Sequence, residues 1–436
     1  MIEAGSVHEV LRRHQLVEGF PLVADMPGSH GVWLRDALSG EDYLDVYTSF
    51  ASWPIGYNHP RMVEPEIKAR LAAAASSNVA NPEVYTQELA GFVHAFATRV
   101  TPAGFPHHFW ISGGALAVEN ALKAAFDWKA RKLGRTGYSD DVNDLVIMHF
   151  ERAFHGRSGY TLSLTNTRPE KVGLFPKFAW PRIPSPAVEF DLDGNIIGDP
   201  QAAEDAACAA IEREFASHKG KVAAIIIEPM QAEGGDRHLR PEFLHRLRQY
   251  ADAEEAMLIF DEVQTGFFGT GKAWMWQRLG VAPDIVAFGK KAQVCGIYAS
   301  ERIDEAPGNV FVTPSRISST WGGSLVDMVR CARLIEIIEE DRLAARVEAL
   351  GERVLAGLRR MARSGAEIGN IRGVGSLLAF TAPSPQRRDV ILKAMFARRV
   401  IALPCGPDSV RFRLPFVMSD GEADELLSRT EEALKG

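Results

Sequence analysis

Cysteine is scarce in this chain of 436 residues, and its four cysteines stand far apart. Cys208, Cys295, Cys331 and Cys405 form no C-x-x-C pair, which argues against a zinc ribbon or a disulfide framework. A chain of this length buries about three quarters of its unfolded surface, so its core needs no cross-link. We therefore expect a reducing, cytoplasmic compartment and no metal site.

Long apolar runs and an excess of basic charge are also missing. The longest purely apolar stretch covers residues 222–227, far short of the about 20 residues that a membrane-spanning helix needs. The 49 basic and 56 acidic residues give a net charge of −7, whereas binding to nucleic acid requires a basic face. The first residues, MIEAGSVHEVLRR, lack the apolar core of a signal peptide. We expect neither nucleic acid nor a membrane as a partner.

Four short apolar segments predict strands that are buried on both faces, because they are nearly continuous apolar runs rather than alternating ones. The segments cover residues 145–150, 222–227, 257–260 and 284–288. Amphipathic helices are predicted between them, at 115–132 and 241–255. Such alternation of strands and helices is typical of an α/β fold with a doubly wound, mostly parallel sheet.

The C-terminal part has a different pattern, typical of a smaller α+β domain. Its predicted helices cover 325–341, 343–364, 386–399 and 421–435, and its predicted strands cover 369–381 and 409–416. Short strand signals also occur at 31–34 and 43–46. We expect an N-terminal segment (1–60) that packs with a small domain (323–436), and a large domain (61–322) that holds the site.

Ligands of an open parallel sheet lie beyond the carboxyl ends of its strands, so functional residues are expected just after the apolar runs. One such place resembles a nucleotide-binding site, with MLIFDE at 257–262 and GFFGTGK at 266–272. A phosphate-binding loop needs Ser or Thr after its lysine, and Ala273 stands there instead. The acidic pair also directly precedes the loop rather than lying on a separate strand. Nucleotide hydrolysis is therefore disfavoured.

A lysine and an aspartate follow two of the predicted inner strands. Lys290 comes after a strand and a glycine, where a partly deprotonated amine can form a Schiff base, although two surface lysines are the simpler alternative. Asp261 ends another strand, where a carboxylate can keep a pyridinium nitrogen protonated or simply cap a helix. A lysine and an aspartate at the ends of two inner strands are a combination that pyridoxal phosphate chemistry uses.

Two further segments fit the same cofactor. SGGA at 112–115 precedes a predicted long helix, where small residues expose backbone N–H groups to a phosphate, or where the serine is an ordinary N-cap. FHG at 154–156 follows a predicted strand and offers an aromatic plane for stacking on a ring, or a phenylalanine for the core.

These motifs together resemble the class III (subgroup II) aminotransferases, which have the fold type I architecture of pyridoxal 5'-phosphate (PLP) enzymes. The resemblance runs from about residue 31 to the C-terminus, and within the family it is greatest to bacterial L-lysine 6-aminotransferases. The matching stretches are GGALAVENALKAAFDWK (113–129), AFHGRSGYTLSLTNT (153–167), EGGDRHLRPEF (233–243), IFDEVQTG (259–266), PDIVAFGKKAQVCG (283–296) and STWGG (319–323).

The resemblance implies a set of cofactor contacts. Lys290 is similar to the lysine that carries PLP, Asp261 to the partner of its pyridine nitrogen, and Gln264 to the residue that binds its ring hydroxyl. The other implied contacts are the backbone of Gly114 and Ala115 at the phosphate, Phe154 stacked on the ring with His155 beside it, and Thr320. Because Thr320 resembles a hydroxyl that reaches the phosphate in the partner subunit, the resemblance implies a homodimer with active sites at the subunit interface.

The resemblance also implies the substrates. Arg157 is similar to a carboxylate-binding arginine, Glu233 to a gating glutamate, and Arg411 to the arginine that this glutamate covers. Arg413 is the alternative to Arg411, because it stands two residues further on, on the same face of the predicted strand. The implied reaction moves the ε-amino group of L-lysine to 2-oxoglutarate and gives 2-aminoadipate 6-semialdehyde and L-glutamate. Ser318 and the segment 49–60 differ from the lysine-specific relatives.

Two alternatives remain open. The near one is another ω-aminotransferase, with ornithine or 4-aminobutyrate as the amino donor. The distant one is a regulator with a PLP fold, which would carry an N-terminal DNA-binding domain for which about 60 residues leave little room.

Overall fold

Two short strands near the N-terminus form a small hairpin. The computed structural model describes residues 2–436, and in it β1 (Trp33–Arg35) pairs antiparallel with β2 (Asp42–Asp45). Both strands overlap the predicted positions. The same segment contains the helices α1 (Val7–Arg12) and α2 (Thr48–Ala51), and α2 is a left-handed turn with φ between 45° and 68°.

The middle of the chain alternates strands and helices. Its strands are β3 (His107–Ile111), β4 (Val146–Phe150), β5 (Arg182–Ile183), β6 (Glu189–Phe190), β7 (Ile196–Ile197), β8 (Val222–Ile227), β9 (Met230–Gln231), β10 (Arg237–His238), β11 (Met257–Asp261), β12 (Ile285–Phe288) and β13 (Cys295–Ala299). Its helices are α3 (Pro65–Ser76), α4 (Gln87–Arg99), α5 (Gly114–Lys132), α6 (Gly159–Leu164), α7 (Pro169–Val172), α8 (Pro200–Ser217), α9 (Pro241–Ala253) and α10 (Met275–Leu279).

Seven of these strands form one large sheet, in the order β3-β13-β12-β11-β8-β4-β5. Its strands run parallel except β13, which is antiparallel to both β12 and β3. The prediction of a mostly parallel sheet is therefore confirmed, and all four predicted inner strands are present. Strands β3 and β13 were not predicted, because histidines or small residues interrupt their apolar pattern.

Helices cover both faces of this sheet. On one face the strands pack against Val118, Leu122 and Trp128 of α5, and on the other face against α8 and α9. The residues of β8 divide between these two cores, with Ala223, Ala224 and Ile226 in the first and Val222, Ile225 and Ile227 in the second, which is why its sequence VAAIII is apolar throughout. Helix α9 begins at Pro241 as predicted, because proline suits the first helical position.

The C-terminal part builds a second, antiparallel sheet with helices on it. Its helices are α11 (Leu325–Glu340), α12 (Leu343–Arg363), α13 (Pro385–Ala397) and α14 (Asp420–Lys435), and its strands are β14 (Gly369–Val374), β15 (Leu377–Thr381), β16 (Val400–Ile401), β17 (Leu403–Cys405) and β18 (Ser409–Arg413). The sheet order is β14-β15-β18-β17. Strand β16 pairs instead with β2 of the N-terminal hairpin.

Two strand predictions in this part are wrong in extent. The strand predicted over 369–381 is a hairpin that turns at Gly375, whose φ of 56° suits glycine. The strand predicted over 409–416 ends at Arg413, because Pro415 has no N–H to continue the ladder.

Helix α11 packs on α3 and α4 of the middle part, whereas α12 packs on the C-terminal sheet. The division at residue 323 stays a prediction.

The stretch that resembles a nucleotide-binding loop has a structural role. The buried carboxylate of Glu262 accepts hydrogen bonds from the backbone N–H groups of Met275 and Trp276, both at 2.8 Å, and so caps α10. Burial raises the pKa of Glu262 to about 7. Lys272 is exposed.

Among the helices of residues 2–436, none is both long and apolar enough to cross a membrane.

Candidate active site

A cavity of about 760 Å³ opens at the carboxyl ends of β8, β11 and β12. It brings together residues that the sequence predicted separately, from the middle part and from β18. These are Gly114, Ala115, Phe154, His155, Arg157, Glu233, Asp261, Gln264, Lys290 and Arg411. Residues 49, 50 and 52 of the left-handed turn also line it.

Lys290 lies at the end of β12 with its amine in the cavity. Its φ of 49° is unusual for a residue with a side chain and indicates local strain. Burial, followed by the positive charges of Arg411 and Arg413, lowers the pKa of Lys290 to about 8. A larger fraction of its amine than of an ordinary lysine is therefore neutral, and hence nucleophilic, near neutral pH.

Lys291 points away from the cavity. Its buried amine donates hydrogen bonds to the backbone carbonyls of Gln264 and Gly266. The two adjacent lysines thus have different surroundings, and Lys290 is the one placed for chemistry.

Asp261 holds its carboxylate at the end of β11 through two contacts. Its Oδ2 lies 2.7 Å from Nδ1 of the buried His155, and its Oδ1 accepts the backbone N–H of Val263 at 3.0 Å. Within the part of the chain that the structure describes, Nε2 of His155 has no hydrogen-bond partner. The carboxylate is therefore fixed in direction and faces the cavity that contains the Lys290 amine.

The N-terminus of α5 also lines this cavity. The helix begins at Gly114, one residue before the predicted start, and its first N–H groups have no partner within the helix. Gly156 packs closely on it, because a Cβ there would lie 2.5 Å from the Cβ of Ala115. The helix end is thus a cradle for an anion such as a phosphate.

Two arginines of β18 have distinct surroundings. Arg413 makes a buried, two-pronged ion pair with Asp236, at 2.6 and 2.7 Å, and donates to Oε1 of Gln264 at 2.9 Å. Arg411 faces the cavity, and its Nη2 lies 3.4 Å from Oε2 of Glu233. Of these two arginines, Arg411 is therefore the one available to a ligand.

Glu233 contacts a second cation that sequence reasoning missed, because the amine of Lys171 in α7 contacts its Oε1. Burial alone would raise the pKa of Glu233, but Arg411 and Lys171 outweigh it and lower the pKa. Lys171 lies in a stretch without helical or strand periodicity, so no sequence pattern indicates its position in the site.

Glu228 is a further missed carboxyl group. It lies directly after β8, as Asp261 lies at the end of β11. This position after an inner strand is the sequence signal that could have identified it. Its side chain accepts the backbone N–H groups of Phe154 and Ala232, at 2.9 and 3.1 Å. Burial and then the charge of Asp261 raise the pKa of Glu228 well above its ordinary value. It supports the segment that carries Phe154.

Two predicted site residues are exposed on this single chain. Arg157 lines the mouth of the cavity, whereas Thr320 lies on the surface, outside the cavity that the described residues form. Ser318 is also exposed. The described residues contain no group of three His, Cys, Asp or Glu side chains placed to hold a metal ion.

A lysine amine with a lowered pKa, a fixed aspartate on the neighbouring strand and a helix N-terminus around one cavity define a site of the PLP-dependent type. The cavity has space for the ring, and within the described residues Nε2 of His155 in its lining has no hydrogen-bond partner. The N-terminus of α5 offers its free N–H groups to the phosphate. The residues present thus fit that cofactor.

Comparison with known proteins agrees with this class. The family model of the class III aminotransferases matches residues 17–434. The L-lysine-epsilon aminotransferase of Streptomyces clavuligerus is 47% identical, over 98% of this chain and 93% of that protein. The enzyme of the same name from Mycobacterium tuberculosis strain H37Rv is 46% identical, over 98% and 95%.

A solved lysine aminotransferase from M. tuberculosis, in the internal aldimine form, has a TM-score of 0.95 to this structure at 45% identity, covering 100% of this chain and 99% of that one. The chain therefore belongs to the class III aminotransferases, which are PLP-dependent transaminases.

Proposed function

We propose that the protein transfers the ε-amino group of L-lysine to 2-oxoglutarate and produces 2-aminoadipate 6-semialdehyde and L-glutamate. The observation that carries the proposal is the contact of Glu233 with Arg411 beside the Lys290 amine. The names and the near-full-length similarity of the relatives support it. The proposed setting is the cytoplasm.

The two substrates place different groups near the reacting carbon. L-Lysine presents a distal amine there and keeps its carboxylate far away, whereas 2-oxoglutarate presents a carboxylate beside the reacting carbon. Without a neutralising partner, Arg411 would attract the carboxylate of lysine to the reacting position. The α-amine rather than the ε-amine would then be transferred. Glu233 neutralises Arg411 while lysine reacts and yields to the carboxylate of 2-oxoglutarate afterwards. Arg157, at the mouth of the cavity, is proposed to hold the distal carboxylate of both substrates.

The chemistry divides among three groups. When bound, PLP supplies a conjugated ring that withdraws electrons from the substrate carbon that bears the amine. The Asp261 carboxylate holds a proton on the pyridine nitrogen of that ring. Once its amine is free, Lys290 acts as the general base that moves a proton from this substrate carbon. Gly114 and Ala115 would bind the phosphate through backbone N–H groups, Phe154 and His155 would lie against the ring, and Gln264 would bind the ring hydroxyl.

A product assay tests the donor. The protein is supplied with 2-oxoglutarate and with L-lysine, L-ornithine or 4-aminobutyrate, and glutamate is measured. With L-lysine labelled with ¹⁵N at the ε position, the label should appear in glutamate. Label retained in the keto product would mean loss of the α-amine and would contradict the proposal. Faster reaction with ornithine or 4-aminobutyrate would instead support the alternative ω-aminotransferase.

Glu233→Ala is expected to lose selectivity for the ε-amine of lysine, because Arg411 then carries an unneutralised charge near the reacting carbon. Its half-reaction with glutamate should be retained or improved. Stopped-flow absorbance of each half-reaction measures both effects. Equal losses with lysine and glutamate would mean that Glu233 is not a switch.

We also propose a homodimer in which Thr320 reaches the phosphate bound by the partner subunit. Thr320 lies in an exposed turn of small residues before α11, which suits close approach of a second chain. Sedimentation at assay concentration should give a dimer. Thr320→Val should weaken PLP binding but leave the dimer intact. A fully active monomer would contradict this assembly.

A further inference from the structure

Glu233 lies between two cations rather than beside one. Its Oε1 contacts the amine of Lys171, and its Oε2 lies 3.4 Å from Nη2 of Arg411. The contact with Lys171 is the closer one, since 3.4 Å is beyond the usual length of a charged hydrogen bond. The glutamate is thus held by Lys171 as well as by the arginine that it covers.

Arg411 is only partly satisfied by this arrangement. It is 3% exposed, and within residues 2–436 its Nε and Nη1 atoms have no hydrogen-bond partner. A buried guanidinium that lines the cavity and has two unused donors can make a two-pronged contact with a carboxylate. A ligand carboxylate can therefore pair with Arg411 if Glu233 has another partner to keep.

We infer that Lys171 is the positioning residue that keeps Glu233 paired when a substrate carboxylate takes Arg411. This inference rests on the proposed function of the site. With Lys171 present, two cations face two carboxylates, and each carboxylate retains a partner. Without Lys171, two carboxylates compete for one guanidinium, which opposes binding of 2-oxoglutarate and glutamate.

The surroundings of Lys171 suit this role. It lies on the short helix α7, and its ammonium lies 5.3 Å from the ring centre of Phe154, within the range of a cation–π interaction. Its side chain is 27% exposed and that of Glu233 is 21% exposed. The pair therefore lies at the edge of the cavity, where Glu233 can turn away from Arg411 and keep its contact with Lys171.

Lys171→Met tests the inference through each half-reaction separately. The apparent affinity for glutamate and 2-oxoglutarate should fall about tenfold, with little change in the limiting rate, because a charge partner is lost but the reacting groups are not. The half-reaction with L-lysine should be retained, since Glu233 then pairs only with Arg411. This pattern is the reverse of the one expected for Glu233→Ala. Calorimetry with glutarate, an unreactive dicarboxylate, should give the same loss of affinity.

A double variant separates this role from direct substrate binding. In the Glu233→Ala background, Lys171→Met should have no further effect on glutamate, because Lys171 acts through Glu233. A loss of similar size in both backgrounds, or equal losses for lysine and glutamate, would overturn the inference. Lys171→Arg should restore the affinity. Lys177→Met is the matched control, because its amine bonds a backbone carbonyl in the same segment outside the cavity.

These outcomes are independent of the proposed donor. If the unmodified protein reacts with glutamate but not with L-lysine, the proposed function fails, and the comparison of Lys171 variants with glutamate and glutarate still decides this inference.

Discussion

Lys290→Ala is expected to lower turnover by about 10⁴-fold or more, because it removes both the attachment point of the cofactor and the base that moves the proton. The variant should still bind PLP through the other cavity residues, but without covalent attachment. Single-turnover kinetics and the absorbance of the bound cofactor measure the two effects.

Lys291→Met is the matched control for this variant. Its loss leaves two buried carbonyls without a donor, which costs about 1–3 kcal/mol of stability, while covalent attachment of PLP should persist. Borohydride reduction and peptide mapping of the unmodified protein should place the pyridoxyl group on Lys290. A group on Lys291 would refute the assignment.

The lowered pKa of Lys290 gives this assignment a pH dependence. The amine becomes neutral as the pH rises through about 8, rather than through the ordinary value of 10.5. Covalent attachment of PLP to cofactor-free protein should therefore accelerate up to about pH 8 and level off above it.

Asp261→Asn is expected to keep PLP bound but to slow proton transfer by about 10³-fold or more. An amide cannot hold the proton on the pyridine nitrogen, so the ring withdraws electrons less strongly. Deuterium at the ε-carbon of lysine should then produce a larger rate effect than in the unmodified protein, since proton transfer limits the rate. Near-normal turnover would mean that Asp261 has only a structural role.

Glu228→Gln is the matched control for this substitution, because it also converts a buried carboxyl in the cavity into an amide. The two oxygens of Glu228 each accept one backbone N–H, and glutamine keeps only one of these acceptors, which costs about 1–3 kcal/mol of stability. We expect only a small change in rate, in contrast to Asp261→Asn.

The inner part of the fold could be predicted from the sequence because burial on both faces imposes continuous apolar runs. Strand β8 was predicted with its observed bounds, and β11 and β12 within one residue. The rule that ligands lie beyond such strands then located Asp261 and Lys290. The antiparallel strand β13 is not predicted from the sequence, because its small residues give no continuous apolar run and no alternation of apolar and polar residues.

The partners of the site residues were harder to predict, since they come from tertiary packing. Nothing in the sequence near Lys171 indicates that its amine reaches Glu233, which lies in a different element. Similarly, the sequence left open whether Arg411 or Arg413 faces the cavity. Asp236 decides this question, because it binds Arg413 and leaves Arg411 to Glu233.

Two residues of one turn therefore have different roles, since Asp236 stabilises the fold and Glu233 is proposed to select the substrate. Asp236 and Arg413 are almost fully buried, and breaking such a pair costs about 3–5 kcal/mol, so change at that position is severely constrained. Glu233 and Lys171 lie at the edge of the cavity and bear little of the fold. New amino donors can thus arise by substitution at these two positions. Glu233 stands only three residues from an ion pair that must not change, so this turn is a favourable starting point for changing the substrate of the enzyme.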